Sequence, residues 1–318
     1  MFRPGKPIQR LWFPALLLIA LILSGCAPAL VSNTNPSSAA TMAPVSVATT
    51  ASGTISVVAA ENFYGDVAQQ IGGKHVSVTS ILSDPNVDPH EYESNVQNAI
   101  AVTNAHLVIE NGDGYDAWMD KLLSASPDPN RIVVTAADVV RHKLPDNEHY
   151  WYSPDNMQDV AQAITDSLKK LDPADQADFD ANLAIFKQSL DTIRQSLSAI
   201  SAKCHGTPVA LTETIFLYQT ELMDLHMMTP FEFQKAVAEG NDPPADTVAA
   251  FNDQLSQKQV KVLIYNVQTV TPVTTNLQNE AKRMNIPIVP VSETMPSGKT
   301  YQQWMLDQLT NLQKALGG

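Results

Sequence analysis

Residues 54–82 read TISVVAAENFYGDVAQQIGGKHVSVTSIL, and the fold class turns on this stretch. Residues 54–60 carry a strand signature. From Glu61 the chain turns polar and helix-compatible through Ile71, and residues 75–82 then alternate Val76 and Val78 with Ser and Thr. A strand, a helix and a second strand imply parallel pairing, because a helical crossover returns the chain to the end of the sheet where it began. The rhythm continues with a helix over 94–103, a strand over 106–110, a helix near 115–124 and a strand over 131–135. Ser153, Pro154 and Asp155 then open a helix to Leu171, with Ser as the cap and Pro at the first helical position. Residues 54–172 are expected to form one α/β lobe.

A helix is expected over 173–202. Phe179, Leu183, Phe186, Leu190, Ile193, Leu197 and Ile200 recur at gaps of 4, 3, 4, 3, 4 and 3, a single apolar stripe. Thirty residues at about 1.5 Å each span roughly 45 Å, more than one lobe needs. A coiled-coil seam is the alternative, but four heptads are short for one, and the expectation is a strut lying across two lobes. Beyond it, over 203–318, the alternation resumes. Strands are expected at 208–212, 260–265 and 286–291, and helices at 214–225, 246–256, 273–284 and 301–316. The fold class expected is α/β: two lobes with parallel sheets joined by one long helix, with any metal site in the cleft between them.

The chain has 318 residues, 44% hydrophobic and 17% charged, which rules out a disordered polymer and a disulfide miniprotein. Lys and Arg total 20 against 33 Asp and Glu, so repulsion from phosphates disfavours nucleic acid as a partner. Residues 1–25 carry Arg3, Lys6 and Arg10, an apolar run over 11–23 and then small residues, the layout of a signal peptide. That run is shorter than the roughly 20 residues a spanning helix needs. The tetrad Leu23, Ser24, Gly25, Cys26 resembles the bacterial lipobox, in which the Cys receives a lipid and becomes the new N-terminus. Cleavage there removes three cations and no acid, taking the formal charge from −13 to −16. Residues 26–53 are mostly Ala, Ser, Thr, Pro and Val with no charge and no aromatic, and read as a flexible tether.

Ligands of open α/β sheets bind beyond the carboxyl ends of the strands. The titratable residues there are His90, in the Pro-stiffened loop over 84–92; His149, between the fourth strand and the Ser153 cap; Glu213, after the first strand of the second lobe; and Glu293, after the last strand. Two neutral imidazoles and two carboxylates suit a divalent cation, whose charge the two carboxylates cancel in a low-dielectric cleft. Each has a bland alternative: Glu213 opposing a helix dipole, Glu293 solvated in its Ser/Thr/Pro turn, His149 as an exposed charge partner beside Glu148 and Asp146. His75 and His106 are expected to be packed within strands. His142, His205 and His226 have no convergent partner in the sequence pattern, and Cys204 is expected to be inert.

Asp88, Pro89, His90, Glu91, Tyr92, Glu93 resembles the DPHxYE loop of the zinc and manganese substrate-binding lipoproteins of bacterial ABC transporters. His149, Tyr150, Trp151, Tyr152, Ser153, Pro154 is similar to that family's second ligand segment, and Glu213 through Tyr218 falls where its third ligand precedes an aromatic and a Tyr. Glu293 falls where its fourth, usually Asp, ends the last strand. The resemblance covers essentially the whole mature chain. It implies a monomeric, non-enzymatic capture protein held outside the cell membrane through lipidated Cys26. Such a protein binds Zn²⁺ or Mn²⁺ as cargo on His90, His149, Glu213 and Glu293 and delivers it to a membrane permease. Glu213 in place of His, and Glu293 in place of Asp, leave the choice of metal open. Monodentate carboxylates favour a tetrahedral zinc site, and bidentate ones a five- or six-coordinate manganese site. A metal-dependent surface hydrolase and a surface adhesin with a vestigial cleft are the alternatives from other classes.

Overall fold

The computed structural model describes residues 53–317 apart from Asp88, His90 and Glu91. The expected signal peptide, nearly all of the tether and the lipid-bearing Cys26 lie outside the described residues, as does the site candidate His90.

The first sheet is built from β1 (Ile55–Glu61), β2 (Val76–Leu82), β3 (Leu107–Glu110) and β4 (Ile132–Thr135), all parallel, in the order β2-β1-β3-β4. Its crossovers are α1 (Asn62–Gly72), α2 (Val96–Thr103) and α3 (Ala117–Ala125), and a single turn of helix, α4 (Ala136–Val139), follows β4. α1 lies so close to β2 that a Cβ at Gly65 would sit 2.1 Å from Ser80 Oγ, which is why that helix position has no side chain. α1 ends at Gly73, whose φ of 55° belongs to the left-handed region that glycine enters without strain. His75 follows in a 3-10 turn and not, as expected, in a strand, while His106 is exposed just before β3 and its Nδ1 accepts the Ser56 N–H at 3.0 Å.

α5 (Pro154–Leu171) starts where the Ser-Pro-Asp signal places it, the Ser153 hydroxyl accepting the Asn156 N–H. The long helix α6 spans Gln176–Cys204; it begins three residues later than the pattern suggested, because Asp172–Asp175 form the turn after α5. All seven stripe residues of α6 are buried. They belong to one continuous core that draws Val57, Phe63 and Ile164 from the first lobe and Val209, Tyr301 and Leu309 from the second.

The second sheet comprises β5 (Pro208–Leu211), β6 (His226–Met227), β7 (Leu263–Asn266) and β8 (Ile288–Val291), again all parallel, in the order β6-β5-β7-β8. Here the structure corrects the sequence reading. The single helix expected over 214–225 is a 3-10 turn, Thr214–Phe216, followed by a short α7 (Leu217–Leu222), and it stops where Asp224 takes a left-handed φ of 51°. That reversal makes room for β6, a two-residue edge strand in register with Pro208 and Val209, and for α8 (Phe231–Ala238). Neither was expected. α9 (Ala245–Ser256), α10 (Pro272–Arg283) and α11 (Tyr301–Ala315) complete the lobe. Pro290 sits within β8, which is tolerated because β8 is an edge.

Both sheets change direction at their centre, between β1 and β3 and between β5 and β7, so each opens a crevice at its carboxyl ends. Aromatic and amide groups stitch the lobes together there. Asn62 Nδ2 donates to the Met295 carbonyl at 2.7 Å and Asn62 Oδ1 accepts the Met295 N–H at 3.0 Å. The Tyr152 hydroxyl donates to the Ser292 carbonyl at 2.7 Å, and the Tyr301 hydroxyl to the Trp151 carbonyl at 2.6 Å. Among the described residues no helix is long and apolar enough to cross a membrane.

Candidate metal centre

His149, Glu213 and Glu293 meet between the lobes. One donor atom from each lies within 4.8 Å of the other two, and all three residues are 0% exposed. His149 Nε2 stands 4.0 Å from Glu293 Oε2. This burial overturns the bland readings: Glu293 is not solvated in its turn, and His149 is not a surface charge partner. Nor does Glu213 act as a side-chain helix cap, although it occupies the position before the 3-10 turn.

The surroundings fix each group. The Asn147 amide nitrogen donates to the Thr214 carbonyl at 2.8 Å, which orients its oxygen toward His149 Nδ1 at 3.0 Å. An amide oxygen only accepts, so this contact places the ring proton on Nδ1 and leaves the Nε2 lone pair facing Glu293, the tautomer a metal-binding imidazole needs. Asn266, at the end of β7, donates through one amide nitrogen to both carboxylates, to Glu213 Oε1 at 2.7 Å and to Glu293 Oε1. Thr269 donates to Glu213 Oε2 at 3.2 Å and the Tyr115 hydroxyl to Glu293 Oε2 at 2.9 Å. Burial, and then the negative charge of Glu293, push the Tyr115 phenol well above its ordinary range, so it stays a donor. Gln268 Oε1 accepts the N–H groups of Glu293 and Thr294 at 2.6 and 3.1 Å, holding the backbone that carries the second carboxylate.

Two carboxylates this deep, sharing a single amide donor, favour a cation between them, because burying like charges side by side is costly. Each carboxylate oxygen accepts at least one of these hydrogen bonds from protein. Beside His149 a depression of about 630 Å³ opens to the surface, bordered by Asp113, Asp146 and Glu148 with Lys143 among them. One imidazole nitrogen and two carboxylates so placed have the donor chemistry to hold a divalent ion.

A family model described as the zinc-uptake complex component A, periplasmic, matches residues 57–315. The chain belongs to this family. Its members are substrate-binding components of metal uptake and not enzymes, which sets the hydrolase alternative aside. Among curated relatives, the manganese-binding lipoprotein MntA of Halalkalibacterium halodurans is 27% identical over 144 residues, 44% of this chain and 48% of that protein. The iron-binding protein YfeA of Yersinia pestis is 26% identical over 151 residues, 43% of this chain and 47% of that protein. The matched part thus spans about half the length of these relatives. The periplasmic zinc-binding protein TroA of Treponema pallidum superposes with a TM-score of 0.71 at 17% identity, covering 83% of this chain and 99% of that one. This likeness bears out the two-lobed α/β fold with parallel sheets.

Sequence reasoning did not reach Asn147, Tyr115, Asn266, Gln268 or Thr269. Asn266 alone carried a usable signal: it ends a strand of the second lobe, the same place that singled out Glu213. Of the other histidines, His142 does have a partner, Glu221 at 3.2 Å on the surface. Cys204 is the last residue of α6, half-buried and free.

Proposed function

We propose that this chain captures one divalent transition-metal ion, Zn²⁺ or Mn²⁺, in the cleft between its lobes and passes it to the membrane permease of an ABC-type importer. His149 from the first lobe and Glu213 and Glu293 from the second supply three ligands, and His90, on the loop after β2, supplies the fourth. Lipidated Cys26 and the uncharged tether keep the monomer at the outer face of the cell membrane. The observation that carries this reading is the convergence of one imidazole and two carboxylates from both lobes, wholly removed from solvent. Family membership supports transport as the purpose of that binding.

The test is elemental analysis and calorimetry on the untagged full chain titrated with Zn²⁺ and Mn²⁺. One tight ion is expected, removable by chelator. At a free metal concentration 100 times the dissociation constant, loading adds about 2.7 kcal/mol to stability. A melting temperature that does not change on chelation refutes the reading, and near-native affinity in His90→Ala removes that residue from the shell.

A further inference from the structure

A second group of metal-type donors lies far from the cleft. His75, in the 3-10 turn that leads into β2, faces the turn between α5 and α6, where Asp172 and Asp175 stand. One donor atom from each of the three lies within 4.8 Å of the other two. His75 Nδ1 is 2.9 Å from Asp175 Oδ2. Tetrahedral ligands at about 2.0–2.2 Å from one zinc ion stand roughly 3.3–3.6 Å apart, so this hydrogen-bonded pair needs to part by only about half an ångström to admit one. Asp172 is only 4% exposed, held at the end of α5 with its Oδ1 accepting the Ala174 N–H at 3.2 Å.

Two further features match an imidazole prepared for a metal. Its other ring nitrogen, Nε2, is 2.9 Å from Asp178 Oδ2, the carboxylate–histidine arrangement that orients a metal-binding ring and raises its basicity. The ring also stands edge-on to Phe179, centroids 5.4 Å apart at 80°, so its plane is set by packing. Lys74 Nζ lies 3.8 Å from Asp178 Oδ2, which gives the outer carboxylate a cationic partner.

We infer that His75, Asp172 and Asp175 form a second, weaker divalent-cation site of zinc-binding chemistry, with Asp178 positioning the imidazole. The site lies at the amino end of β2, whereas the cleft lies beyond the carboxyl ends of the strands, so the two are independent. It would fasten the turn after α1 to the start of α6. Its open positions and solvent access suit a rapidly exchanging ion, in contrast to the sealed cleft.

The experiment is equilibrium dialysis of the untagged full chain, purified in detergent, against Zn²⁺ at about 0.1 mM, with bound metal counted per chain; a site with three N/O protein ligands should be occupied there. Two ions are expected for the wild type and one each for His75→Gln and Asp175→Asn, the retained cleft ion reporting that these variants are folded. The double variant His149→Ala, Glu213→Gln should also keep one ion, and should lose it when His75→Gln is added. A single ion in the wild type that vanishes with the cleft variant overturns the second site. Two ions that persist in both His75→Gln and Asp175→Asn do the same. A wild type whose metal count is unaffected by the cleft variant, but falls with His75→Gln, supports the second site and refutes the cleft reading instead.

Discussion

Replacing Asn266 with Ala tests whether the two buried carboxylates are aimed by a shared donor. The Asn266 amide nitrogen serves Glu213 and Glu293 together, and its own position is set by the Gln268 N–H, which donates to Oδ1 at 3.0 Å. Removing it leaves Glu213 with Thr269 and Glu293 with Tyr115, so each carboxylate keeps a donor but loses the one that fixes its spacing from the other. Loss of such an outer partner weakens metal binding by about 10- to 100-fold, or roughly 1.4–2.7 kcal/mol. The metal-free form should be destabilised too, because each hydrogen bond to a charged group contributes about 1.5–3 kcal/mol. Competition against a chelating dye measures the affinity, and urea unfolding of the chelated protein measures the stability. Affinity within about twofold of wild type refutes the aiming role, since that is below the smallest loss expected of such a partner. A loss as large as that of Glu213→Gln refutes it from the other side, by making Asn266 itself a ligand.

Glu213→Gln preserves volume and removes one charge and one anionic ligand, and should cut metal affinity by at least about 100-fold while leaving the fold intact, as calorimetry and circular dichroism can check. Burial raises the Glu110 carboxyl to about 7, and the Thr135 hydroxyl, donating at 2.7 Å, offsets this only in part. The native state therefore binds more protons than the unfolded chain between about pH 4.5 and 7, and the stability this group contributes is lost as pH rises through that window. Glu110→Gln should accordingly stabilise the protein at pH 8 relative to pH 5.5 by about 1–2 kcal/mol, after allowance for partial solvent contact; equal effects at both pH values in denaturant titrations would contradict it. In α6, Leu190→Ala should cost about 2–5 kcal/mol in the same assay, whereas Ile185→Ala, at a residue 66% exposed, should stay within about 0.5 kcal/mol. Scattering profiles of the free and loaded chain should nearly coincide, because the core runs unbroken between the lobes; a large closure would show that it does not restrain them.

The parallel α/β alternation was legible because short β-branched, apolar runs recur between helix-compatible stretches, and α6 because seven apolar residues share one face. What escaped was local and short. β6 has two residues, too few for any period, and α7 ends because Asp224 reverses the backbone, which no neighbouring Gly or Pro announces. At the site, Glu213 and Glu293 were legible because each follows a strand end, and His149 because it lies between the fourth strand and the Ser153 cap. Their burial was not, since it depends on lobes packed across nearly 150 positions of chain. Asn147, Tyr115 and Asn266 are ordinary polar residues in the sequence and acquire their roles only by standing next to a carboxylate or an imidazole contributed from elsewhere.

The stripe along α6 serves α1 and α5 on one side and α11 on the other, so the largest core is shared between the halves, each of which keeps only a smaller cluster to itself. A fragment cut on either side of the helix would strand half of a greasy seam in water. Recombination between relatives can therefore exchange surface loops freely, but a crossover near Gln176 or Cys204 would hand one parent's knobs to the other's sockets. The two halves are inherited as one piece.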